Sequence, residues 1–212
     1  MLLRPGVTAG EVDDACAGAV EAGLAAVVVW PGAVARAAAA SGGSGVTVVA
    51  AVGGPSGTSP LGTVLDEVRQ AVGAGAGHLA VALDAGRVRG GGTVALAGEL
   101  GAVCRLAHAA GVHVRVVLQA HLLDEGELAT ATRLAVEAGA DLLQTGSGVE
   151  APATAEQVRA IRRALPSRHA AVGVVAGGAE DAGALRDLLG RAGAERAAVL
   201  DPAAVLRKVA AA

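Results

Sequence analysis

At 212 residues the chain fits a single domain spanning 1–212, long enough to bury about 70% of its unfolded surface around one core. Ala, Val, Leu and Gly dominate, with one Trp and no Tyr or Phe, so the core must be built from small aliphatic side chains, which suits parallel strands covered by helices on both faces. A net charge of -3 with interspersed signs excludes a basic nucleic-acid face and a polybasic membrane patch, and Gly or a charge interrupts every apolar run well short of the ~18 residues that a membrane span needs.

In chain order, the first helix opens at Thr8 with Glu11 three residues on, a capping box. It carries Val12, Cys16 and Val20 along one stripe and ends at Gly23. A Val-rich strand follows over Ala25–Trp30, with a loop at Ser41–Ser44 and a second strand over Val46–Val52. A helix at Thr63–Val72 leads to a strand at His78–Leu83, a loop at Gly90–Gly92, a helix at Val94–Ala110 and a strand at Val112–Gln119. The remaining pairs are a helix at Glu125–Ala138 with a strand at Asp141–Thr145, and a helix at Thr154–Ala164 with a strand at Ala170–Ala176. The chain then runs through a helix at Ala182–Leu189 and a strand at Arg196–Leu200 to a last helix at Pro202–Ala211. Apolar runs alternating with amphipathic windows every roughly 25 to 35 residues are the pattern of repeated βα units around a parallel sheet. No Rossmann glycine fingerprint follows the first strand, so two architectures stay open: a doubly wound open sheet, or a barrel missing one strand.

Cys16 and Cys104 lie in helical patterns without metal-ligand spacing, and no signal-peptide pattern opens the chain. Two buried thiols in a reducing cytoplasm are expected. The residues His78, His108, His113 and His169 are too scattered for a metal site, so no metal and no cofactor are expected.

Several segments together resemble the deoxyribose-phosphate aldolases. They are Leu2-Leu3-Arg4-Pro5 followed by Thr8–Gly23, Ala25-Ala26-Val27-Val28-Val29-Trp30-Pro31, and Ala135-Val136-Glu137-Ala138-Gly139-Ala140-Asp141 leading into Gln144-Thr145-Gly146-Ser147-Gly148. The similarity is to the family's L-L-K-P, A-A-V-C-V-x-P and E-A-G-A-D-F-V-K-T-S-T-G, and it runs through essentially the whole chain in the same order. The resemblance implies a TIM-type (β/α)8 barrel. Members begin with a strand ending D-H-T-L-L, whereas this chain starts at Met1-Leu2-Leu3. The first strand is therefore expected to be truncated to a stub, leaving the barrel imperfectly closed or the start upstream.

In the resembled family a lysine at the end of the sixth barrel strand forms a Schiff base with the aldehyde, because a protonated imine is an electron sink for breaking the carbon–carbon bond. The resemblance places Gln144 there, and an amide nitrogen cannot form the imine. The second family lysine aligns with Val174 and the proton-shuttling Asp with Ala80. Of 17 basic residues Lys208 alone is a lysine, and it falls in the predicted last helix, where a solvated charge suits the helix dipole. Family-type imine chemistry is therefore not expected.

The resemblance also implies a phosphate site built from exposed backbone N–H groups, here at Thr145, Ser147 and Gly148 after one strand and Gly177 and Gly178 after the next. Against it, Leu200-Asp201-Pro202 stands where the family has small residues, and Asp201 either repels a phosphate or merely caps the helix that Pro202 opens. At the C-terminal strand ends, where barrel enzymes carry their sites, stand Asp84, Arg87, Arg89, Gln119, His121, Gln144, Thr145 and Ser147. Asp84 with His121 reads as an acid/base pair, with Gln119 and Gln144 donating hydrogen bonds to a carbonyl or enolate oxygen. The bland alternative is a surface ion pair of Asp84 with Arg87 and a plain loop histidine. Trp30 ends a strand at the mouth, as a pocket wall or as a plug.

Two functions follow as expectations. One is an enzyme acting on a small carbonyl or sugar-like substrate by acid/base and hydrogen-bond chemistry. The other is a non-catalytic barrel serving as a binding module or partner subunit. The partner expected is a small-molecule substrate, with no nucleic acid and no membrane. Ala-rich outer helices could also pack closely against a second copy, giving a homodimer.

Overall fold

The computed structural model of the chain describes residues 2–169, 172–179 and 181–199. Seven parallel strands pair in sequence order: β1 (Ala26–Val29), β2 (Thr47–Val52), β3 (His78–Ala82), β4 (His113–Val117), β5 (Leu142–Gln144), β6 (Gly173–Gly177) and β7 (Arg196–Ala198). Consecutive order with a helix in every crossover is barrel connectivity; a doubly wound sheet would reverse direction part-way. The first-strand stub expected at Leu2-Leu3 contributes a single rung among the described residues. Leu2 makes one parallel bridge to Val29 and donates its N–H to Val28 O at 2.8 Å.

The strands divide their side chains between two apolar clusters, as the two-residue alternation of a strand requires. One fills the bore with Leu3, Val28, Val49, Ala51, Ala80 and Val117, against which Ala26 and Trp30 pack. The larger lies between strands and helices and includes Val27, Val48, Leu79, Val114, Leu143 and Val174. The bore residues on neighbouring strands are small, in a chain with one tryptophan and no tyrosine or phenylalanine.

Eight helices cover the outside: α1 (Ala9–Glu21), α2 (Val34–Ser41), α3 (Leu61–Gly73), α4 (Ala85–Arg89), α5 (Thr93–Ala109), α6 (Glu125–Glu137), α7 (Ala155–Ala164) and α8 (Ala182–Arg186), among the described residues. The Thr8–Glu11 capping box forms in full. The buried stripe of α1 is Val12, Cys16 and Ala19, however, and Val20 is 42% exposed, because at 3.6 residues per turn the seventh residue after Val12 returns to within about 20° of it and the eighth lies about 80° past it, at the edge of the stripe. Ser41 closes α2, so the expected loop begins one residue later. The helix predicted through Leu189 gives way after Arg186 to a wide turn over Asp187–Arg191. The helix at Pro202–Ala211, with Asp201 and Lys208, lies outside the described residues, as do Ala170, Ala171 and Leu200 at the ends of two predicted strands. Both cysteines are buried and free, and burial, then the Asp141 carboxylate, pushes the Cys104 thiol up to about 11. No helix among the described residues is long and apolar enough to cross a membrane.

Candidate functional site

At the C-terminal ends of the strands a cavity of about 60 Å³ opens among Trp30, Pro55, Gln119, Gln144, Ser147 and Glu150, floored by bore residues such as Ala80 and Val117. Trp30 thus stands as a wall of this cavity. Its polar rim comes from the segments that leave β4 and β5.

Gln119 is two residues past β4 and is 2% exposed. It holds a left-handed backbone, φ 55° and ψ 46°, which a side chain with a Cβ adopts only when its surroundings force it. Its Nε2 donates to Pro55 O in the β2–α3 loop, and its Oε1 is buried without a hydrogen-bond partner. A strained residue presenting an unsatisfied acceptor beside a cavity is a signal of function, since buried polar atoms are ordinarily paired.

Gln144 ends β5 and is 2% exposed. Its Nε2 donates to Gly146 O at 2.6 Å and its Oε1 accepts from the guanidinium of Arg115 on β4 at 3.0 Å, which sets the amide's orientation. Each of these two amides has a second N–H to offer. The register pairs Gln144 with Val175. Val174 belongs to the outer cluster, so the bore-facing position beside Gln144 is Val175, one residue later than the family alignment suggests.

Asp84 and His121 each have another partner. The Asp84 carboxylate caps α4, accepting from the Arg87 N–H at 3.1 Å. Arg87 forms a two-pronged ion pair with Glu99 at 2.6 and 3.1 Å, so the expected surface pair of Arg87 with Asp84 is replaced by one with Glu99. His121 lies on the short turn Ala120–Leu122, with its Nε2 2.9 Å from Glu150 Oε2. The imidazole side chain is 18% exposed and the carboxylate 55%. The other ring nitrogen, Nδ1, lies 3.6 Å from where a Cβ on Gly146 would sit. Glu150 lines the cavity and Asp84 does not. Nothing in the sequence marked Glu150, which is brought to His121 across 29 positions by the β5–α7 loop.

The glycine loops are packed against each other. Gly148 and Gly178, both at positive φ (77° and 73°), touch backbone to backbone, and a Cβ on Gly177 would strike Gly146 O. The buried Thr145 hydroxyl accepts from the Gly177 N–H at 3.0 Å, and the Gly178 N–H donates to Ala198 O at 2.7 Å. Ser147 accepts from the Val149 N–H at 3.2 Å. The donors expected to face a phosphate at Gly177 and Gly178 are thus engaged within the protein.

A deoxyribose-phosphate aldolase from Brevibacillus brevis is 33% identical over 196 residues, covering 92% of this chain and 86% of the relative. One from Crocosphaera subtropica is 30% identical over 176 residues, 83% of this chain and 77% of the relative. The chain belongs to the deoxyribose-phosphate aldolase family. The solved structure of the tetrameric deoxyribose phosphate aldolase of Aeropyrum pernix is similar, with a TM-score of 0.85 and 26% identity, over 98% of this chain and 85% of that one. No protein-family model matches the chain. The aldolase-type barrel therefore carries, at its mouth, two buried glutamines and a His121–Glu150 pair, and the bore positions of an aldolase barrel here hold Ala80, Gln144 and Val175.

Proposed function

We propose that this member of the family acts on a small carbonyl compound at the barrel mouth without a lysine imine, by moving a proton next to the carbonyl. The observation that carries the reading is Gln119, strained and with a free buried acceptor at the cavity edge. In this reading the His121–Glu150 pair takes the proton from the carbon beside the carbonyl. The C–H electron pair becomes the carbon–carbon double bond, the carbonyl π pair moves to oxygen, and the spare N–H groups of Gln119 and Gln144 hydrogen-bond the developing enolate. A carboxylate that holds an imidazole in place is the usual way to orient such a base.

Size narrows the substrate. The cavity of about 60 Å³ is far below the roughly 300–1,000 Å³ of sites for larger ligands. It suits two or three carbons better than a sugar phosphate, and the engaged N–H groups of Gly177 and Gly178 agree. The substrate-binding roles of Thr145, Ser147 and Gly148 then become indirect, in holding the two loops together. The free buried thiols fit a cytoplasmic protein, and a homo-oligomer, in its simplest form a homodimer, belongs to the same reading.

The test is hydrogen exchange in deuterated water, followed by NMR, with acetone and glycolaldehyde as probes. Exchange of the hydrogens beside the carbonyl above the buffer rate, lost in Glu150→Gln and His121→Ala, is the expected result. A folded protein that exchanges neither compound favours the second reading, a non-catalytic barrel, for which the internally satisfied loop donors and the small cavity also speak.

A further inference from the structure

The amide of Gln119 is oriented by what it touches. Its Nε2 donates to the backbone carbonyl of Pro55, a group that can only accept, so the nitrogen is fixed on that branch of the amide and Oε1 on the other. The residue is buried and lines the cavity at the mouth, and Oε1 has no hydrogen-bond partner among the described residues. A buried acceptor left without a donor carries the full desolvation penalty of that group, and a ligand that supplies the donor removes it.

A second acceptor stands close by. His121 Nε2 lies 2.9 Å from Glu150 Oε2, and because a carboxylate accepts, the neutral ring carries its hydrogen on Nε2 and its lone pair on Nδ1. A Cβ placed on Gly146 would lie 3.6 Å from that Nδ1 and 4.0 Å from Gln119 Oε1, so both acceptors flank one residue. The donors come from elsewhere on the rim. Gln144, held by Arg115 at Oε1 and by Gly146 O at Nε2, has one N–H to spare. The Ser147 hydroxyl, which accepts from the Val149 N–H, keeps its own hydrogen. Both residues line the cavity, which therefore calls for a ligand offering a donor as well as an acceptor. A hydroxyl meets Gln119 Oε1 without bringing a charge among Val28, Ala51, Ala80 and Val117, where an ammonium would be costly.

We propose that the mouth selects carbonyl compounds that carry a hydroxyl on the adjacent carbon, an inference that rests on reading the mouth as a small-carbonyl site. The hydroxyl donates to Gln119 Oε1, and the carbonyl oxygen accepts from the spare N–H of Gln144. Gln119 is then the residue that sets specificity. A compound with a methyl in place of the hydroxyl leaves Oε1 unpaired, and a site built around a substrate hydroxyl rejects such an analogue more strongly than an apolar pocket distinguishes one methylene.

Hydroxyacetone and butanone make the test, since they differ in a hydroxyl against a methyl of similar size. The chain has one tryptophan, and Trp30 walls the cavity, so the single indole N–H resonance in NMR titrations reports occupancy of the mouth. The parent is expected to bind hydroxyacetone at least about tenfold more tightly than butanone. In Gln119→Met, which removes the acceptor, that preference should disappear; the comparison within the parent stands even if this variant fails to fold. Equal affinities in the parent, or a preference that a folded Gln119→Met retains in full, would overturn the assignment and leave the small-carbonyl site in place. A preference for hydroxyacetone whose carbon-bound hydrogens do not exchange in deuterated water would support the assignment and remove the proton transfer instead. No movement of the indole resonance with either compound would overturn both.

Discussion

Gln119 combines a left-handed backbone with an unsatisfied buried oxygen. Glycine tolerates that backbone, whereas a residue with a Cβ gives up about 1–2 kcal/mol there. Gln119→Gly is therefore expected to be more stable than Gln119→Ala by roughly that amount in urea unfolding. Equal stabilities would show that the conformation is not strained. The glutamine itself was legible as a mouth residue, since it stands at the end of a Val-rich run. Its conformation was not, because nothing in its neighbours demands a positive φ; the hydrogen bond to Pro55, 64 positions away, holds it. His121 shows the opposite limit: position was readable, and the partner was not.

Two strands begin with the same device. Asp141, just before β5, donates its N–H to Val114 O at 2.9 Å and accepts from the Val114 N–H at 2.7 Å. Glu195, just before β7, does the same to Val174, at 3.0 and 2.6 Å. An acidic side chain here completes the ladder one residue early and pins the register of parallel neighbours, for which slippage would turn every side chain to the wrong face. Burial pushes the Asp141 carboxyl up, but the Val114 N–H, then His108 and His113, outweigh it and hold it below its ordinary value. A folded pKa below the unfolded one contributes stability above about pH 4, lost as the pH falls through the folded value. The parent should therefore lose stability below about pH 4 more steeply than Asp141→Asn. Matching slopes in acid unfolding would remove the carboxylate from this role. Among the helices, α1 carried a readable start in its capping box. In contrast α2, whose sequence after Val34 is mostly alanine, shows no polar face and so no period to detect, although Val34 and Ala37 are fully buried.

For the molecule as a whole, the family barrel persists while the amine chemistry associated with it has no lysine between residues 2 and 199. Incubation with acetaldehyde and borohydride should leave no adduct mapping to that stretch, and one found there would overturn the reading. In Gln144→Lys an amine would enter beside Arg115, where burial and a like charge lower its pKa; a reduced adduct at position 144 is then expected by mass mapping. Its absence in a folded variant would mean that the mouth no longer admits the aldehyde.

What the sequence determined by itself was a run of βα units around a parallel sheet: Val-rich runs and amphipathic windows repeat at βα spacing, and those patterns reflect local burial, which each segment encodes alone; the barrel rather than the doubly wound sheet was what the family resemblance implied. The lack of a lysine between residues 2 and 199 was equally plain, being a matter of residue identity. Tertiary structure alone decided that His121 pairs with Glu150, that Val175 and not Val174 faces the bore, that Gly177 and Gly178 spend their N–H groups internally, and that buried Arg115 donates to the neutral Gln144 amide. Each of these depends on strand register and loop approach between segments far apart in the chain, and contacts of that kind leave no period or spacing to read.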